Sequence, residues 1–263
     1  METITSAQNP KLKRLLALQE KSSLRREAGL FVVEGRRELE HCQQAGFEID
    51  TLFVCPELVS VEDFADFQRL KTFAISREAY AKVAYRGGTE GVIAEVRARN
   101  LRLEDLKLRD NPLVIVLEGV EKPGNLGAVL RSADAAAADA VIICDPLTDL
   151  WNPNLIRASI GAIFTVPTVA CSSQDAISWL KDNNIQILTA QLQDSSLYYD
   201  TPMTGPTAIV MGTESTGLTQ QWRAAADAHI RIPMLGRLDS LNVSVSAAIL
   251  LFEALRQRQG ESA

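Results

Sequence analysis

The chain has 263 residues, 46% hydrophobic and 23% charged, an ordinary globular composition with room for one or two domains. Its net charge of −6 argues against a protein that wraps nucleic acid over its whole surface. No apolar run is long enough to span a bilayer and residues 1–10 carry no signal-peptide pattern, so neither a membrane nor a secretory role is expected.

The charge is unevenly spread. Between Asn9 and Arg37 there are eight basic residues, Lys11, Lys13, Arg14, Lys21, Arg25, Arg26, Arg36 and Arg37, against three acids. Five more basic residues lie between Arg97 and Arg109, whereas after Pro112 nine basic residues face fifteen acids. A local basic stripe can bind a phosphate backbone in an acidic protein, although a solvated helix face explains the same residues equally well. The four cysteines, Cys42, Cys55, Cys144 and Cys171, are not in CxxC spacing, and three lie in or beside apolar runs. Free, mostly buried thiols in a reducing cytoplasm are expected, with no disulfide and no metal site.

In chain order, Asn9 followed by Pro10 opens a helix to about Lys21, with Leu12, Leu15, Leu16 and Leu18 as its apolar stripe. Strands are predicted at 30–34, 51–55, 72–74 and 92–96, and helices at 35–45, 61–70 and 76–83. This is an α/β unit, assigned to residues 1–97. Residues 98–111 are charged, lack periodicity and are expected to be a linker ending before Pro112. From 112 to 263 strands are predicted at 113–117, 140–144, 165–169, 186–190, 207–211 and 229–232. They alternate with helices at 125–138, 154–159, 174–182, 218–225 and 243–258. Continuous apolar strands alternating with helices imply a parallel sheet covered on both faces.

Three glycine-punctuated blocks stand at the carboxyl ends of these strands, where parallel sheets bind ligands: residues 124–133, 211–218 and 232–245. They do not match a G-x-G-x-x-G dinucleotide fingerprint, and Asp145 only imitates its ribose-binding acid. No Walker A loop and no G-x-S-x-G elbow occur. The two histidines are His41 and His229, and His229, opening an apolar strand, reads as structural. The remaining polar candidates are Asn125, Arg131, Glu214, Ser240 and Asn242. Three of them have a plain structural role open to them. Arg131 could pair with Asp134, Glu214 could cap the next helix, and Asn242 could cap the last one. Their joint occurrence in all three blocks points instead to one site.

At these residues the chain resembles the SpoU/TrmH-like branch of the SPOUT RNA methyltransferases. PGNLGAVLRSADA, MGTESTGL and IPMLGRLDSLNVSVSAAILLFE are similar to its three motifs, in order. One departure is Ser215, where the second motif usually has glycine. SAQNPKLKRL and FVVEGRRE in the first half resemble the substrate-binding domain that often precedes it, itself similar to ribosomal proteins that bind kinked RNA. The resemblance implies an α/β SPOUT domain with a parallel sheet and a deep trefoil knot, working as a homodimer in the cytoplasm. It implies S-adenosylmethionine held by Met211, Gly212, Glu214, Ile232, Met234, Leu241 and Asn242, and methyl transfer to a ribose 2′-hydroxyl. Ribosomal RNA is the preferred substrate and transfer RNA the second. A non-catalytic RNA-binding protein on the same fold is the rival reading, and a nicotinamide enzyme a weaker one. The family assigns the activating role to Arg131, with Asn125, Glu214, Ser240 and Asn242 around it. A guanidinium is a poor base, so its expected part is to orient the ribose and stabilise alkoxide charge. Lys11, Lys13, Arg14, Arg25, Arg26, Arg36 and Arg37 are the expected RNA contacts.

Overall fold

The computed structural model describes residues 2–60, 70–85, 87, 90–213, 216–237 and 239–260. The helix expected at 61–70 lies almost wholly outside the described residues. The chain forms two compact units, Met1–Arg99 with Asp149–Thr165, and Asn100–Thr148 with Val166–Ala263.

The first unit runs β1 (Glu2–Ile4), α1 (Pro10–Glu20), α2 (Ser22–Ala28), β2 (Leu30–Glu34), α3 (Arg36–Gln44), β3 (Ile49–Val54), β4 (Lys71–Ile75), α4 (Arg77–Val83) and β5 (Val92–Arg97). Asn9 caps α1 by accepting from the Lys11 N–H at 2.9 Å, and Ser76 caps α4 in the same way from Ala79. Leu12, Leu15 and Leu18 bury the apolar face of α1. The five strands are ordered β1-β4-β3-β5-β2, parallel from β1 to β3 and antiparallel at β5. Neither β1 nor α2 was expected. The three residues of β1 are too short for an alternating pattern, and α2 has no side-chain cap and ends on Gly29 in the left-handed region.

The second unit holds β6 (Leu113–Glu118), α5 (Pro123–Ala135) and β7 (Ala140–Cys144). The chain then passes through α6 (Pro153–Ser159) and α7 (Ala162–Thr165) of the first unit. It returns as β8 (Thr168–Cys171), α8 (Ser173–Asp182), β9 (Gln186–Ala190), β10 (Ser196–Leu197), β11 (Thr207–Met211), α9 (Gln220–Ala225), β12 (Ala228–Arg231) and α10 (Val243–Gly260). Its seven strands are ordered β10-β12-β9-β11-β6-β7-β8, and every pairing is parallel, as the continuous apolar strands imply. The strand expected at 165–169 is corrected: residues to Thr165 finish a helix, Pro167 intervenes, and the strand starts at Thr168. Helix α10 packs along α5 and against β6 and β11. Its far end is fixed by Arg258, which donates to the carbonyls of Met203, Asn111, Pro112 and Gly205. His229 sits beside Thr189, with Nδ1 2.6 Å from its hydroxyl, in keeping with a structural role.

The excursion Asp149–Thr165 makes the first unit discontinuous. Trp151 stacks on Phe31 at 4.4 Å, and Phe164 meets Phe47 edge-on at 5.4 Å. Arg25 is buried, pairs with Asp149 at 2.6 Å and donates to the carbonyls of Leu18 and Gln19. A buried guanidinium needs such partners. The expectation of an uninterrupted first half therefore omits this segment.

Residues 98–111 are more than a tether. Leu103 is buried in the second core, Leu101 bridges to Val169, and Arg109 embraces Asp139. Asp139 is buried. It accepts from Leu113 N–H at 2.7 Å and from Arg109 through N–H and guanidinium. Burial pushes its pKa up, but these hydrogen bonds together outweigh burial and hold it below the usual aspartate value. A carboxyl whose folded pKa is depressed contributes stability above its unfolded pKa of about 4, and that contribution is lost as the pH falls through the folded value. Urea midpoints are expected to drop between about pH 5 and pH 2. In Asp139→Asn the midpoint at pH 7 is lower, with a loss of about 1–3 kcal/mol, and this acid-dependent part of the drop disappears.

Candidate functional site

Strand order reverses between β6 and β11. Strands β7 and β8 extend the sheet to one side, and β9, β12 and β10 to the other. A crevice beyond the carboxyl ends is expected at such a point. Gly119 follows β6 at φ +63°, where a β-carbon would lie 3.2 Å from the Thr213 methyl. Gly212 follows β11. A β-carbon there would run into the Gly217 carbonyl and stand 2.6 Å from the Leu218 nitrogen. Two stretches of main chain thus touch, and only glycine permits it.

The loop between them is closed by Gly217 N–H donating to Thr213 O at 3.0 Å and by Thr216 N–H donating to the Thr213 hydroxyl at 3.1 Å. It is held from below by Glu118, the buried last residue of β6. Glu118 accepts from the Thr219 N–H at 2.8 Å and the Thr219 hydroxyl at 2.7 Å. Ser173 lies beside it, donates to Asp145 at 2.6 Å, and receives the Trp222 indole N–H at 2.9 Å. Asp145, the imitation of a ribose-binding acid, is therefore engaged by Ser173. This network was missed. Its one trace in the sequence is an acid ending a run of apolar strand residues, which a motif search passes over.

Above the loop is a cavity of about 330 Å³. Met211, Gly212, Ile232, Met234, Ser240 and Leu241, all expected site residues, line it together with Leu218, Ile230, Arg223 and Asp239. A second cavity, of about 190 Å³, lies beside it, lined by Gly119, Lys122 and Asn125 and sharing Gly212, Thr213 and Val243 with the first. Asn125 accepts at 3.1 Å from the Asn242 amide, a bond between the first and third blocks across 117 residues. The other end of Asn242 accepts from the N–H and hydroxyl of Ser244 and so starts α10. Asn242 thus fills its structural role and reaches the first block at once. Glu214 lies outside the described residues. Arg131 is exposed on α5, lines neither cavity, and has no ion pair among the described residues, including the one open to it with Asp134.

The expected RNA contacts divide within the first unit. Lys13 and Arg26 are exposed and unpaired among the described residues, as is Lys21. Lys11, Arg14, Arg36 and Arg37 pair with Glu2, Glu95, Glu40 and Glu38. Arg25 is a correction. Its guanidinium is buried on Asp149 and two carbonyls, so no face of it is open to a phosphate. All four cysteines are free. Cys42, Cys55 and Cys144 are buried, and burial pushes the Cys42 thiol up to about 12. Among the described residues no cluster of three or more His, Cys, Asp or Glu could hold a metal, and no helix is long and apolar enough to cross a membrane.

Residues 112–252 match the SpoU rRNA Methylase family, and residues 9–94 match the MRM3-like substrate binding domain. The 23S rRNA (guanosine-2′-O-)-methyltransferase RlmB of Photobacterium profundum is 39% identical over 189 residues, 70% of this chain and 77% of that one. A solved RNA 2′-O ribose methyltransferase is 40% identical with a TM-score of 0.85, covering 98% of this chain and 99% of its own. An AdoMet-bound rRNA methyltransferase from Sinorhizobium meliloti is 29% identical with a TM-score of 0.89, covering 97% of both chains.

The crowding at Gly212 is directly testable. Gly212→Ala must push the Gly217–Leu218 main chain away, at a cost of about 1–3 kcal/mol. A lower urea midpoint is the expected outcome, and an unchanged one would mean that the two strands of main chain do not touch.

Proposed function

Because this chain belongs to the SpoU rRNA methylase family, we infer that it transfers a methyl group from S-adenosylmethionine to a ribose 2′-hydroxyl of ribosomal RNA. One observation carries the reading: the second and third glycine-punctuated blocks share a single cavity beyond the carboxyl ends of β9, β11 and β12 in a parallel sheet. The residues present fit the cofactor. The main chain at Gly212 is bare because no side chain fits there, and Met211, Ile230, Ile232, Met234 and Leu241 offer apolar surface to a flat base.

When bound, S-adenosylmethionine supplies a methyl group on a sulfonium that needs only an aligned nucleophile. The chain's residues supply the alignment. Met211, Gly212, Ile232, Met234 and Leu241 hold the donor through main chain and apolar contact. Asn125 and Asn242, joined by their hydrogen bond, fix the mouth of α5 against the start of α10. Arg131 then orients the acceptor ribose or its phosphate and stabilises the oxyanion that forms as the hydroxyl proton passes to solvent water. Its guanidinium, exposed and without an ion pair among the described residues, is available for that part. Glu214 and Ser240 belong to the same proposal as groups that keep Arg131 and the nucleotide in register.

Residues 1–97, completed by Asp149–Thr165, serve as the RNA-binding domain, and the rest of 112–263, with 98–111 packed on it as the connection, serves as the catalytic domain. The match of residues 9–94 to a substrate binding domain supports the first assignment, and a likeness to kinked-RNA binders belongs to the same proposal. Lys13 and Arg26 are its best-placed phosphate contacts, with Lys11, Arg14, Arg36 and Arg37 available on exchange of their acidic partners. The trefoil knot is part of the same proposal, supported by the packing of α10 against β6 and β11. So is a homodimer, for which Val245 and Phe252, about half exposed on α10, offer apolar surface. The free thiols accord with a cytoplasmic protein.

Comparing 2′-O-methyl positions in ribosomal RNA from cells with and without the protein tests the function: one ribose methylation is expected to vanish, and an unchanged map would reject rRNA as substrate. For Arg131→Ala, methyl incorporation into RNA is expected to fall by at least about a hundredfold, the usual scale for losing an electrostatic stabiliser. Cofactor binding by calorimetry stays within about threefold of the wild type if Arg131 stabilises charge only as it develops. Parallel loss of both would remove it from the chemistry. Replacing Lys13 and Arg26 together is expected to lower the salt dependence of RNA binding by about two units of slope, roughly one per phosphate contact.

A further inference from the structure

Two side chains of opposite charge line the larger cavity and pair neither with each other nor with any other described residue. They are Arg223 of α9 and Asp239 of the loop before α10. The Nε of Arg223 is also shut off from solvent with no acceptor. The third charged group there, Arg231, already reaches the Ser195 hydroxyl at 3.4 Å. The Arg223 Nε has no face on the cavity, so it is the terminal N–H groups of its half-buried guanidinium that can meet a ligand there, and a charged acceptor suits them. An arginine and an aspartate that face one space without joining suit a ligand that carries both charges itself.

Resting on the reading of this cavity as the S-adenosylmethionine site, the donor has one end of that kind. Its adenosine is uncharged and flat, matching the apolar lining. Its other end is an amino acid, with a carboxylate beside an ammonium. We propose that Arg223 and Asp239 grip this zwitterionic end, Arg223 taking the carboxylate and Asp239 the ammonium. The planar fork of the guanidinium suits a carboxylate, and a charge-assisted pair inside a cavity is stronger than one in water. Arg223 and Asp239 are binding residues, and they select a donor that keeps its amino-acid portion.

Two ligands separate this role from plain structural support. S-adenosylhomocysteine keeps the amino-acid end, and 5′-methylthioadenosine keeps the adenosine and sulfur but lacks that end. Calorimetry on the full chain without RNA is expected to show tighter binding of S-adenosylhomocysteine by the wild type. Arg223→Gln and Asp239→Asn should each weaken that ligand by at least about tenfold, the loss of one charged hydrogen bond. Binding of 5′-methylthioadenosine should change by less than about twofold, since the contact is absent there. Arg223→Lys, which keeps the charge, should recover part of the loss. Equal weakening of both ligands, or none, overturns the proposal, as does weakened RNA binding with S-adenosylhomocysteine binding intact. A wild type that binds neither ligand removes the cofactor reading itself, a result distinct from variants that bind normally.

Discussion

Main chain against main chain at Gly212 is the constraint from which the site follows. With no room for even a β-carbon, the main chain after β11 packs directly on the main chain of Gly217 and Leu218, and no side chain from Gly212 stands over the cavity. A flat polar ligand is recognised well by such a surface, because its hydrogen-bonding groups are held in place by the sheet and not by mobile side chains. The loop keeps that shape because Glu118 ties Thr219 from underneath. A carboxylate buried at the end of the central strand thus acts on a surface it does not line. Fixing the far side of the loop leaves Thr213, Thr216 and Gly217 to close it by short-range hydrogen bonds.

The bond between Asn125 and Asn242 is the second tie, and of a different kind. It joins the first turn of α5 to the residue that starts α10, and those two helices pack along each other. Whatever moves α10 therefore moves the mouth of α5, and with it the helix that carries Arg131. The far end of α10 is held at four carbonyls by Arg258. The chemistry proposed for Arg131 uses a side chain that stands free on a helix whose start is anchored. That combination leaves the guanidinium able to meet an incoming ribose without first breaking an ion pair to any described residue.

Much of this was legible in the sequence where signals are local. Asn9-Pro10 marked the start of α1, and the runs that became β6, β7, β9 and β11 are continuous and apolar, so their burial in a parallel sheet followed. Six of the expected site residues share one cavity because glycine-rich turns after such strands have few other places to go. What stayed hidden depends on partners distant in the chain. Arg25 looks like any other basic residue of its stretch until Asp149 arrives across 124 positions to bury it. Glu118, Ser173 and Trp222 make one network from three elements, and no spacing rule connects them. Arg223 lies outside all three blocks and Asp239 is one acid within the third, and only the cavity they both line gives them a shared meaning. The linker at 98–111 was misjudged for the same reason, since Arg109 has its purpose in Asp139.

The excursion Asp149–Thr165 has a consequence for synthesis. Phe31 and Phe47 emerge from the ribosome long before Trp151 and Phe164, which stack on them. The same holds for Arg25, whose counter-ion comes later. The amino-terminal unit is therefore not complete when its own last strand has been made. It must wait, with aromatic surface uncovered, until the first two strands of the next sheet have also been translated. Domains normally fold in the order they are made. Here the earlier one closes only after the later one has begun, so the nascent chain carries an unfinished aromatic face for that interval.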